Sequence, residues 1–443
     1  MKHGLQMALL AGVIGSLSIG CSGGKGPTGS PALREQRATN LVARLAAGNY
    51  ENARKHFNFI MGLGLSAGAL EKVWEGMEGR FGVFSQRIWM SHEEQKGYEI
   101  VWVGLQFESG TMKAKLVFDS GDKITGLFFQ PWNPKWKAPN YVDGTAFTEL
   151  EITVGSGGWE LPGTLTLPKN VASPPAVVLV HGSGPMDRDE TIGPNKPFKD
   201  LAWGLASQGI AVLRYEKRTK AYPGKLSQEK SFTMKDETVD DAVLAIRELQ
   251  HRDDIDRTAI YVLGHSQGGY CAPRIAAGVS GLAGFVSMAG NTQPLEELII
   301  VQTEYLSRQG SALQKDLQDM RLAAEHIKQL TKEDVDKRDV ILGAPTSYWF
   351  DLREYHPVAR ANEFDGRILI LHGGRDYQVG MEDFDGWTNG LVGHAKMRSK
   401  LFRNLNHLMM PGSGPSKPAE YNTPGHVSSE VVQVITEWIN GEP

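Results

Sequence analysis

A strand-like run stops abruptly at a glycine in Tyr261-Val-Leu-Gly-His-Ser-Gln-Gly-Gly-Tyr270. The apolar residues before Gly264 are typical of a buried strand, and the residues from Gln267 onward are compatible with a helix. The turn between them matches G-x-S-x-G, a spacing that exposes a serine hydroxyl on a sharp turn above a sheet. Flanking glycines let neighbouring backbone come close without a Cβ clash. Ser266 is therefore the predicted nucleophile; the alternative is a Gly-rich turn whose serine only caps the following helix.

Strands and helices alternate on both sides of this turn. Apolar runs lie at 176–180, 209–215, 283–289 and 367–374, with amphipathic segments between them and an opening hairpin over 147–167. This alternation predicts an α/β fold with a doubly wound, mostly parallel sheet. A helix-patterned segment over about 293–361 is too long for a compact connection. We expect it to form a helical cap over the carboxyl ends of the strands, although a plain surface excursion is the alternative.

A serine needs a base, and the base needs a carboxylate that orients it. Asp376 comes a few residues after the apolar run at 367–374, where the carboxylate is expected. His407 follows the last strand candidate and is the predicted base. The alternatives are Glu382 or Asp383 for the carboxylate and, for the base, His426 at the start of the closing helix.

A tetrahedral intermediate needs hydrogen-bond donors aimed at its oxyanion. The predicted donors are the backbone N–H groups of Gln267, which follows the nucleophile, and of Ser183, which lies in a Gly-rich loop after the strand at 176–180. No H-E-x-x-H, C-x-x-C or other metal-ligand spacing occurs in the sequence. We therefore expect neither a catalytic metal nor another cofactor.

Several motifs together resemble the α/β-hydrolase superfamily over about 145–443. They are His181-Gly-Ser-Gly-Pro-Met-Asp-Arg-Asp-Glu190, Arg214-Tyr-Glu-Lys-Arg218, Gly264-His-Ser-Gln-Gly-Gly269, Gly374-Arg-Asp-Tyr-Gln-Val379 and Asn406-His-Leu408. More narrowly, they are similar to exported bacterial esterases akin to dienelactone hydrolases and acyl-thioesterases. Glu216 and Thr219 stand where related sequences usually have Asp and Gly, a difference that lies outside the triad.

The resemblance implies a serine hydrolase that cleaves short acyl esters, among them acetyl groups on carbohydrates, through an acyl-enzyme. It implies Ser266 as nucleophile, His407 as general base and then acid, and Asp376 as the orienting carboxylate. His265, Arg188 and Tyr377 are candidates for contacting the substrate, a small-molecule or glycan ester. For Arg188 the alternative is an ion pair that fixes its loop against the 216–218 segment.

The N-terminus carries an export pattern. A short basic start and an apolar stretch over 5–20 lead to Cys21, and a Gly- and Ser-rich segment follows. This resembles a bacterial lipoprotein signal, which implies a signal peptide over 1–21, a lipid on Cys21 and a tether over 22–35. The protein would then be attached to the bacterial cell envelope, with the outer membrane or periplasm as the expected location. Plain secretion or a retained N-terminal anchor are the alternatives.

A small domain is predicted before the hydrolase-like region. Two amphipathic helices precede an antiparallel meander whose apolar residues alternate from Gly82 to Gln130. The region 36–130 resembles the small cone-like domain that precedes many exported bacterial hydrolases. We expect a spacer or a module that presents substrate. The Pro-rich segment 131–145 is the predicted linker to the larger domain, 146–443.

The overall composition limits the possible functions. The net charge is −4 over 443 residues, and no basic patch indicates a nucleic-acid partner. Two other enzyme classes remain open, a prolyl-oligopeptidase-like peptidase and a thioesterase. A catalytically silent surface-binding protein is the alternative outside enzymes.

Overall fold

The computed structural model describes residues 30–95, 98–108, 110–132, 135–226, 229, 231–308, 314–337 and 339–441. The predicted signal peptide and Cys21 lie outside these residues. The chain divides into two compact units, one formed by residues 1–135 with 418–423 and the other by residues 136–417 with 424–443.

The first unit places helices on an antiparallel sheet. Its helices are α1 (Pro31–Ala46), α2 (Tyr50–Ala53), α3 (Phe59–Gly64) and α4 (Ala67–Phe81), with a 3-10 turn at Arg54–His56. Its strands are β1 (Phe84–Gln95), β2 (Tyr98–Phe107), β3 (Gly110–Phe118) and β4 (Ile124–Pro131), paired in that order. The core lies between α1, α4 and one face of the sheet, with Trp74 at its centre against Phe107. Trp74 is therefore a core residue of this unit.

The second unit is built on an eight-stranded sheet. Its strands are β5 (Phe147–Val154), β6 (Leu161–Pro168), β7 (Ala176–Val180), β8 (Ala211–Tyr215), β9 (Ile260–His265), β10 (Gly284–Met288), β13 (Arg367–Gly373) and β14 (Met397–Phe402). The strand order is β14-β13-β10-β9-β7-β8-β6-β5. Every pair from β14 to β8 is parallel, and β6 and β5 complete the sheet as antiparallel strands. This confirms the predicted mostly parallel α/β sheet.

Helices cover both faces of this sheet. They are α5 (Pro197–Ser207), α6 (Arg218–Ala221), α7 (Pro223–Leu226), α8 (Asp240–Gln250), α9 (Gln267–Ala277), α10 (Leu295–Arg308), α11 (Gln314–Gln329), α12 (Lys332–Lys337), α13 (Thr346–Arg353), α14 (Pro357–Asn362), α15 (Met381–Gly390) and α16 (Ser429–Ile439). A π-helical turn, Lys235–Val239, leads directly into α8. Strand β7 shows why the run is apolar throughout: Val178 and Val180 face the core under α8 and α9, whereas Val177 and Leu179 face the core under α5 and α16.

The helical cap predicted between the sixth and seventh strands is present as α10 to α14, which lie between β10 and β13 in the chain. One part of the segment predicted to be helical over about 293–361 is not, because the helix α12 ends at Lys337. Val340–Ile341 (β11) instead pairs with Ala344–Pro345 (β12). The two residues between them, Leu342 and Gly343, have φ of 48° and 83°, the left-handed pair that a tight hairpin requires.

The structure also moves two predicted boundaries. Helix α1 begins at Pro31, inside the expected tether, because Ser30 caps it and the buried Arg34 pairs with Asp122 at 2.6 Å. Within the expected linker, β4 extends to Pro131, and from Trp136 onward the chain is bound to the second unit. The indole of Trp136 donates to Asp200 at 2.8 Å.

Candidate active site

The turn after β9 holds Ser266 in a backbone conformation that non-glycine residues rarely adopt, with φ 53° and ψ −118°. The glycines two residues away on each side make this turn possible. A Cβ on Gly264 would lie 2.0 Å from the carbonyl oxygen of Gly268, and one on Gly268 would lie 2.2 Å from that of Val180. The G-x-S-x-G spacing is thus a steric requirement for a strand that turns sharply into α9 beside β7.

His407 and Asp376 lie together at the same edge of the sheet as Ser266. Asp376 follows β13 and His407 follows β14, and His407 Nδ1 donates to Asp376 Oδ2 at 2.6 Å. The other oxygen, Oδ1, accepts the N–H groups of Gln378 at 2.8 Å and Val379 at 3.0 Å. Burial alone would raise the pKa of Asp376, but His407 and these hydrogen bonds hold it below its ordinary value. The structure therefore keeps a buried carboxylate ionised against the ring of His407.

The hydroxyl of Ser266 makes no hydrogen bond with any residue that the structure describes. The residue before Ser266 links the elbow to His407, and the ring centroids of His265 and His407 are 4.7 Å apart. His265 Nε2 also donates to the backbone carbonyl of His407 at 2.9 Å. The elbow strand thus holds the backbone of the predicted base.

His265 forms a second buried pair with a carboxylate. Its Nδ1 lies 2.9 Å from Glu190 Oε2, and both side chains are almost fully buried. Burial alone would lower the pKa of His265, but the Glu190 carboxylate more than offsets this, so that it is raised. Because a carbonyl faces one ring nitrogen and a carboxylate faces the other, neither nitrogen is available to a substrate. The predicted substrate contact by His265 does not fit this geometry.

The loop after β7 lies against the nucleophile. A Cβ on Gly182 would lie 3.2 Å from the Cβ of Ser266, so only glycine fits without displacement. The Gly182 N–H donates to Glu190 Oε1 at 2.7 Å. Ser183 follows with an exposed side chain. Within the described residues, neither the Ser183 N–H nor the Gln267 N–H donates to a protein acceptor.

The two remaining substrate-contact candidates differ. Arg188 donates through Nε to Glu216 at 2.9 Å and through Nη1 to Glu151 and Thr164, both at 2.6 Å. These contacts fit the alternative of a loop-fixing ion pair. Tyr377 is half-buried beside Asp376, and its ring stacks on that of Tyr305 from the cap helix α10, with centroids 5.0 Å apart.

Two of the alternative residues for the triad, Asp383 and His426, have partners in other parts of the fold. Asp383 is fully buried and accepts the N–H groups of Thr292 and Gln293, at 2.7 and 2.9 Å, which fixes the chain after β10. His426 lies with its Nδ1 3.1 Å from Asp200.

His181 directly follows β7, and burial lowers its pKa to about 4.

The other groups that could hold a metal or act as a nucleophile are accounted for. Burial raises the pKa of the Cys271 thiol to about 12, so it is protonated at neutral pH. In the part of the chain that the structure describes, no group of three or more His, Cys, Asp or Glu side chains is arranged to hold a metal ion.

Four polar residues near the elbow were not predicted from the sequence as residues of the site. They are Glu190, Lys217, Glu237 and Tyr348, all buried. Glu190 and Lys217 occur inside motifs that were recognised, and a charged residue placed directly after an apolar strand is a usable signal. Tyr348 lies in the cap, where the pattern gave no indication of its contact with Glu237.

Two family models match parts of this chain, one in each unit. Residues 38–127 match a family described as a protein of unknown function (DUF3887), and residues 200–281 match the prolyl oligopeptidase family. Among solved structures, Est1E from Butyrivibrio proteoclasticus is 15% identical, with 66% of this chain and 99% of that chain covered and a TM-score of 0.43. An acylaminoacyl peptidase from Pyrococcus horikoshii is 15% identical, with 80% and 50% covered and a TM-score of 0.45.

A much stronger similarity covers almost the whole chain. Esterase EstD of Thermotoga maritima is 38% identical over 409 residues, which are 91% of this chain and 95% of that protein. Both units lie within this similarity to a large extent, since 91% coverage leaves out few residues. The chain therefore belongs to the esterase family that includes EstD, and it is an ester-hydrolysing enzyme with an α/β-hydrolase fold.

Proposed function

We propose that this esterase hydrolyses short acyl esters through an acyl-enzyme intermediate, with Ser266 as nucleophile, His407 as base and Asp376 as its orienting carboxylate. The observation that carries the proposal is the 2.6 Å hydrogen bond from His407 Nδ1 to the fully buried Asp376. This bond places the remaining proton-accepting nitrogen, Nε2, on the opposite side of the ring. Because the chain belongs to the esterase family that includes EstD, we no longer consider a catalytically silent binding protein.

In the first half-reaction, Ser266 Oγ adds to the ester carbonyl carbon while its proton passes to His407 Nε2. The bond between that carbon and the alcohol oxygen then breaks, and His407 returns the proton to the departing alcohol. In the second half-reaction a water adds to the acyl carbon and gives its proton to His407. The carboxylic acid leaves as Ser266 Oγ takes the proton back.

The negative oxygen formed in each half-reaction needs fixed donors. The N–H of Gln267 is the first amide after the nucleophile, and the N–H of Ser183 follows a glycine that contacts the Ser266 side chain. Both amides are free of protein acceptors within the described residues, which leaves them available to an oxyanion. We assign the oxyanion hole to this pair.

The proposed substrates are small-molecule or glycan esters with short acyl groups, including acetyl groups on carbohydrates. Tyr377 remains a proposed substrate contact because it is half-buried next to Asp376 and stacks on the cap residue Tyr305. We expect this aromatic pair to form part of the wall beside the reacting ester.

The test compares hydrolysis of p-nitrophenyl acetate, butyrate and octanoate by the wild type and by Ser266→Ala. We expect Ser266→Ala to lose nearly all turnover, by about 10⁴-fold or more, while its thermal unfolding is little changed. Ser280→Ala is the matched control, because this exposed serine follows the far end of α9. Turnover by Ser266→Ala at the wild-type rate would disprove the nucleophile assignment.

A second candidate activity is peptide hydrolysis, which the match of residues 200–281 to the prolyl oligopeptidase family favours. The triad chemistry would be the same, with an amine as leaving group instead of an alcohol. Acyl-peptide p-nitroanilides and short thioesters should be measured beside the p-nitrophenyl esters. A higher kcat/KM for the anilide than for any ester would replace the ester proposal by a peptidase.

We also propose that the protein is exported and attached to the cell envelope by a lipid on Cys21. The support is the sequence pattern of residues 1–29 alone, since these residues lie outside the described part of the chain. Among the described residues, no helix is both long and apolar enough to cross a membrane. Cys21→Ser should move the protein from the membrane fraction to the soluble fraction, and an unchanged membrane fraction would contradict the lipid anchor.

A further inference from the structure

One buried cation touches both sides of the proposed oxyanion hole. Lys217 follows β8, and only 2% of its surface is exposed. Its ammonium has three acceptors: the Gly182 carbonyl oxygen at 2.8 Å, Glu237 Oε1 at 3.2 Å and Gln267 Oε1 at 3.5 Å. A lysine ammonium has three N–H groups, so these three contacts account for all of them.

The contact with Gly182 determines how the next peptide group is oriented. The described chain contains no cis peptide bond, and in a trans peptide the C=O and the following N–H point in opposite directions. Because the Gly182 carbonyl points to Lys217, the Ser183 N–H points away from Lys217. The amide of Gly182 is fixed as well, by its hydrogen bond to the buried Glu190. Buried charges therefore hold the polar groups on both sides of Gly182.

The same cation is fixed by a network that includes the cap. Glu237 lies in the π-helical turn before α8, and its Oε2 accepts hydrogen bonds from Gln267 Nε2 at 3.0 Å and from the Tyr348 hydroxyl at 2.8 Å. Tyr348 belongs to α13 of the cap. Insertion of a π turn into a helix commonly accompanies a functional site. These contacts fix the position of the Lys217 ammonium, and its burial keeps it away from solvent.

We propose that Lys217 is a positioning residue of the active site, which holds the Gly182–Ser183 peptide with its N–H toward the reacting carbonyl oxygen. The inference rests on the proposed function, because it assumes that the Ser183 amide is an oxyanion donor. A charge-assisted hydrogen bond to the Gly182 carbonyl also polarises that peptide, which makes its N–H a better donor. Among the described residues, the Lys217 ammonium contacts neither Ser266 nor His407.

The test uses Lys217→Met and a double variant, Lys217→Met with Glu237→Gln. Removing the cation alone leaves the buried Glu237 unpaired, so the single variant is the one in danger of not folding. The double variant removes both charges and nearly preserves the volumes. Lys196→Met is the matched control, because Lys196 also pairs with the loop after β7, at 2.7 Å through Asp189, without touching Gly182.

An oxyanion donor acts on the transition state more than on the bound substrate. We therefore expect the double variant to lose kcat by about 10- to 100-fold on p-nitrophenyl butyrate while KM stays within about twofold. A trifluoromethyl ketone adds to a catalytic serine and forms a tetrahedral oxyanion. Its affinity should fall by the same factor as kcat/KM, and Lys196→Met should change neither quantity.

Ser266→Ala, measured alongside, separates the two proposals. Wild-type kcat in the folded double variant, beside an inactive Ser266→Ala, would overturn the role of Lys217 and leave the proposed function intact. A loss that appears only in KM would overturn it as well. Turnover that survives in Ser266→Ala would overturn the proposed function and this inference with it.

Discussion

Two buried histidine–carboxylate pairs lie side by side at the edge of the sheet where Ser266 follows β9, and they have different surroundings. In the pair His407–Asp376, one ring nitrogen contacts the carboxylate at 2.6 Å and the other has no protein partner among the described residues. In the pair His265–Glu190, one nitrogen lies 2.9 Å from the carboxylate and the other donates to the His407 carbonyl at 2.9 Å. We propose that the first ring exchanges a proton with the substrate; the second connects parts of the fold.

The second oxygen of each carboxylate shows the same division. Asp376 uses it to accept amides of its own loop, so that the carboxylate is fixed relative to β13. Glu190 uses it to accept the N–H of Gly182, so that the pair joins the loop after β7 to the elbow and to the base. The role of a buried histidine therefore follows from the contacts of its second nitrogen, and burial or a neighbouring carboxylate does not distinguish the two roles.

The largest expected difference between the pairs is in catalysis. We predict that Asp376→Asn lowers kcat for p-nitrophenyl butyrate by about 10⁴-fold, because an amide no longer favours the ring form with the proton on Nδ1. Asp383→Asn is the control, since the contacts of Asp383 are to Thr292 and Gln293 and not to His407. Comparable kcat losses in the two variants would contradict the assignment of Asp376.

The corresponding change in the other pair should act mainly on stability. Glu190→Gln leaves His265 buried without its counter-charge, and we expect the free energy of unfolding to fall by about 3–5 kcal/mol. The kcat of the folded fraction should fall by no more than about tenfold, because no reacting atom loses a contact. Urea unfolding and steady-state kinetics on one preparation check both values. A kcat loss as large as that of Asp376→Asn would remove the distinction between the pairs.

These predictions depend on how much of the site could be recognised from sequence. Ser266, Asp376 and His407 each follow a predicted strand, and the carboxyl ends of parallel strands share one edge of a sheet, so their proximity could be predicted. The partners of Glu190 and Lys217 are not local in the chain. Glu190 meets His265 from 75 positions away, and Lys217 meets Gly182 from 35 positions away. Only the folded structure reveals such contacts.

The fold shows the same limit. The alternating strands and the length of the cap follow from hydrophobic pattern, and both were predicted. The hairpin at Val340–Pro345 depends on two left-handed residues, Leu342 and Gly343, of which only the glycine gives a signal. The start of α1 depends on the pairing of Arg34 with Asp122, which is 88 positions away.

A third buried histidine, His181, should give the free energy of unfolding a pH dependence opposite to that from His265. Among the described residues, no carboxylate forms an ion pair with His181 as Glu190 does with His265. Burial lowers the pKa of His181 from 6.5 to about 4. Below pH 6.5 the unfolded chain binds a proton at this residue that the folded protein does not, so the free energy of unfolding falls as pH drops toward 4, by about 3 kcal/mol. His265 acts in the opposite direction: its raised pKa stabilises the fold below pH 6.5, and this contribution is lost as pH rises through the folded value.

Unfolding curves at pH values from 4 to 8 test these opposite signs. In His181→Gln the decrease in stability between pH 6.5 and 4 should become smaller than in the wild type. In His265→Gln the decrease in the free energy of unfolding above pH 6.5 should become smaller than in the wild type. If His181→Gln had the same slope as the wild type between pH 6.5 and 4, His181 would not be held neutral by the fold.

The smallest effect is expected at a third histidine–carboxylate pair, His426–Asp200, which is partly exposed. We predict that His426→Gln leaves kcat unchanged and costs about 1 kcal/mol or less. Asp200 keeps two other donors, the Trp136 indole at 2.8 Å and the Val427 N–H at 3.0 Å. Steady-state kinetics would identify His426 as the base if kcat fell by orders of magnitude.

We propose that Ser266, activated by the His407–Asp376 pair, is the nucleophile. The most direct measurement is fluorophosphonate labelling of the wild type, Asp376→Asn and Glu190→Gln, with the modified peptide identified by mass spectrometry. We expect labelling at Ser266, much slower labelling in Asp376→Asn, and labelling close to the wild-type rate in folded Glu190→Gln. Labelling at another residue, or equal rates in the wild type and Asp376→Asn, would overturn the assignment of Ser266 and of its activating pair.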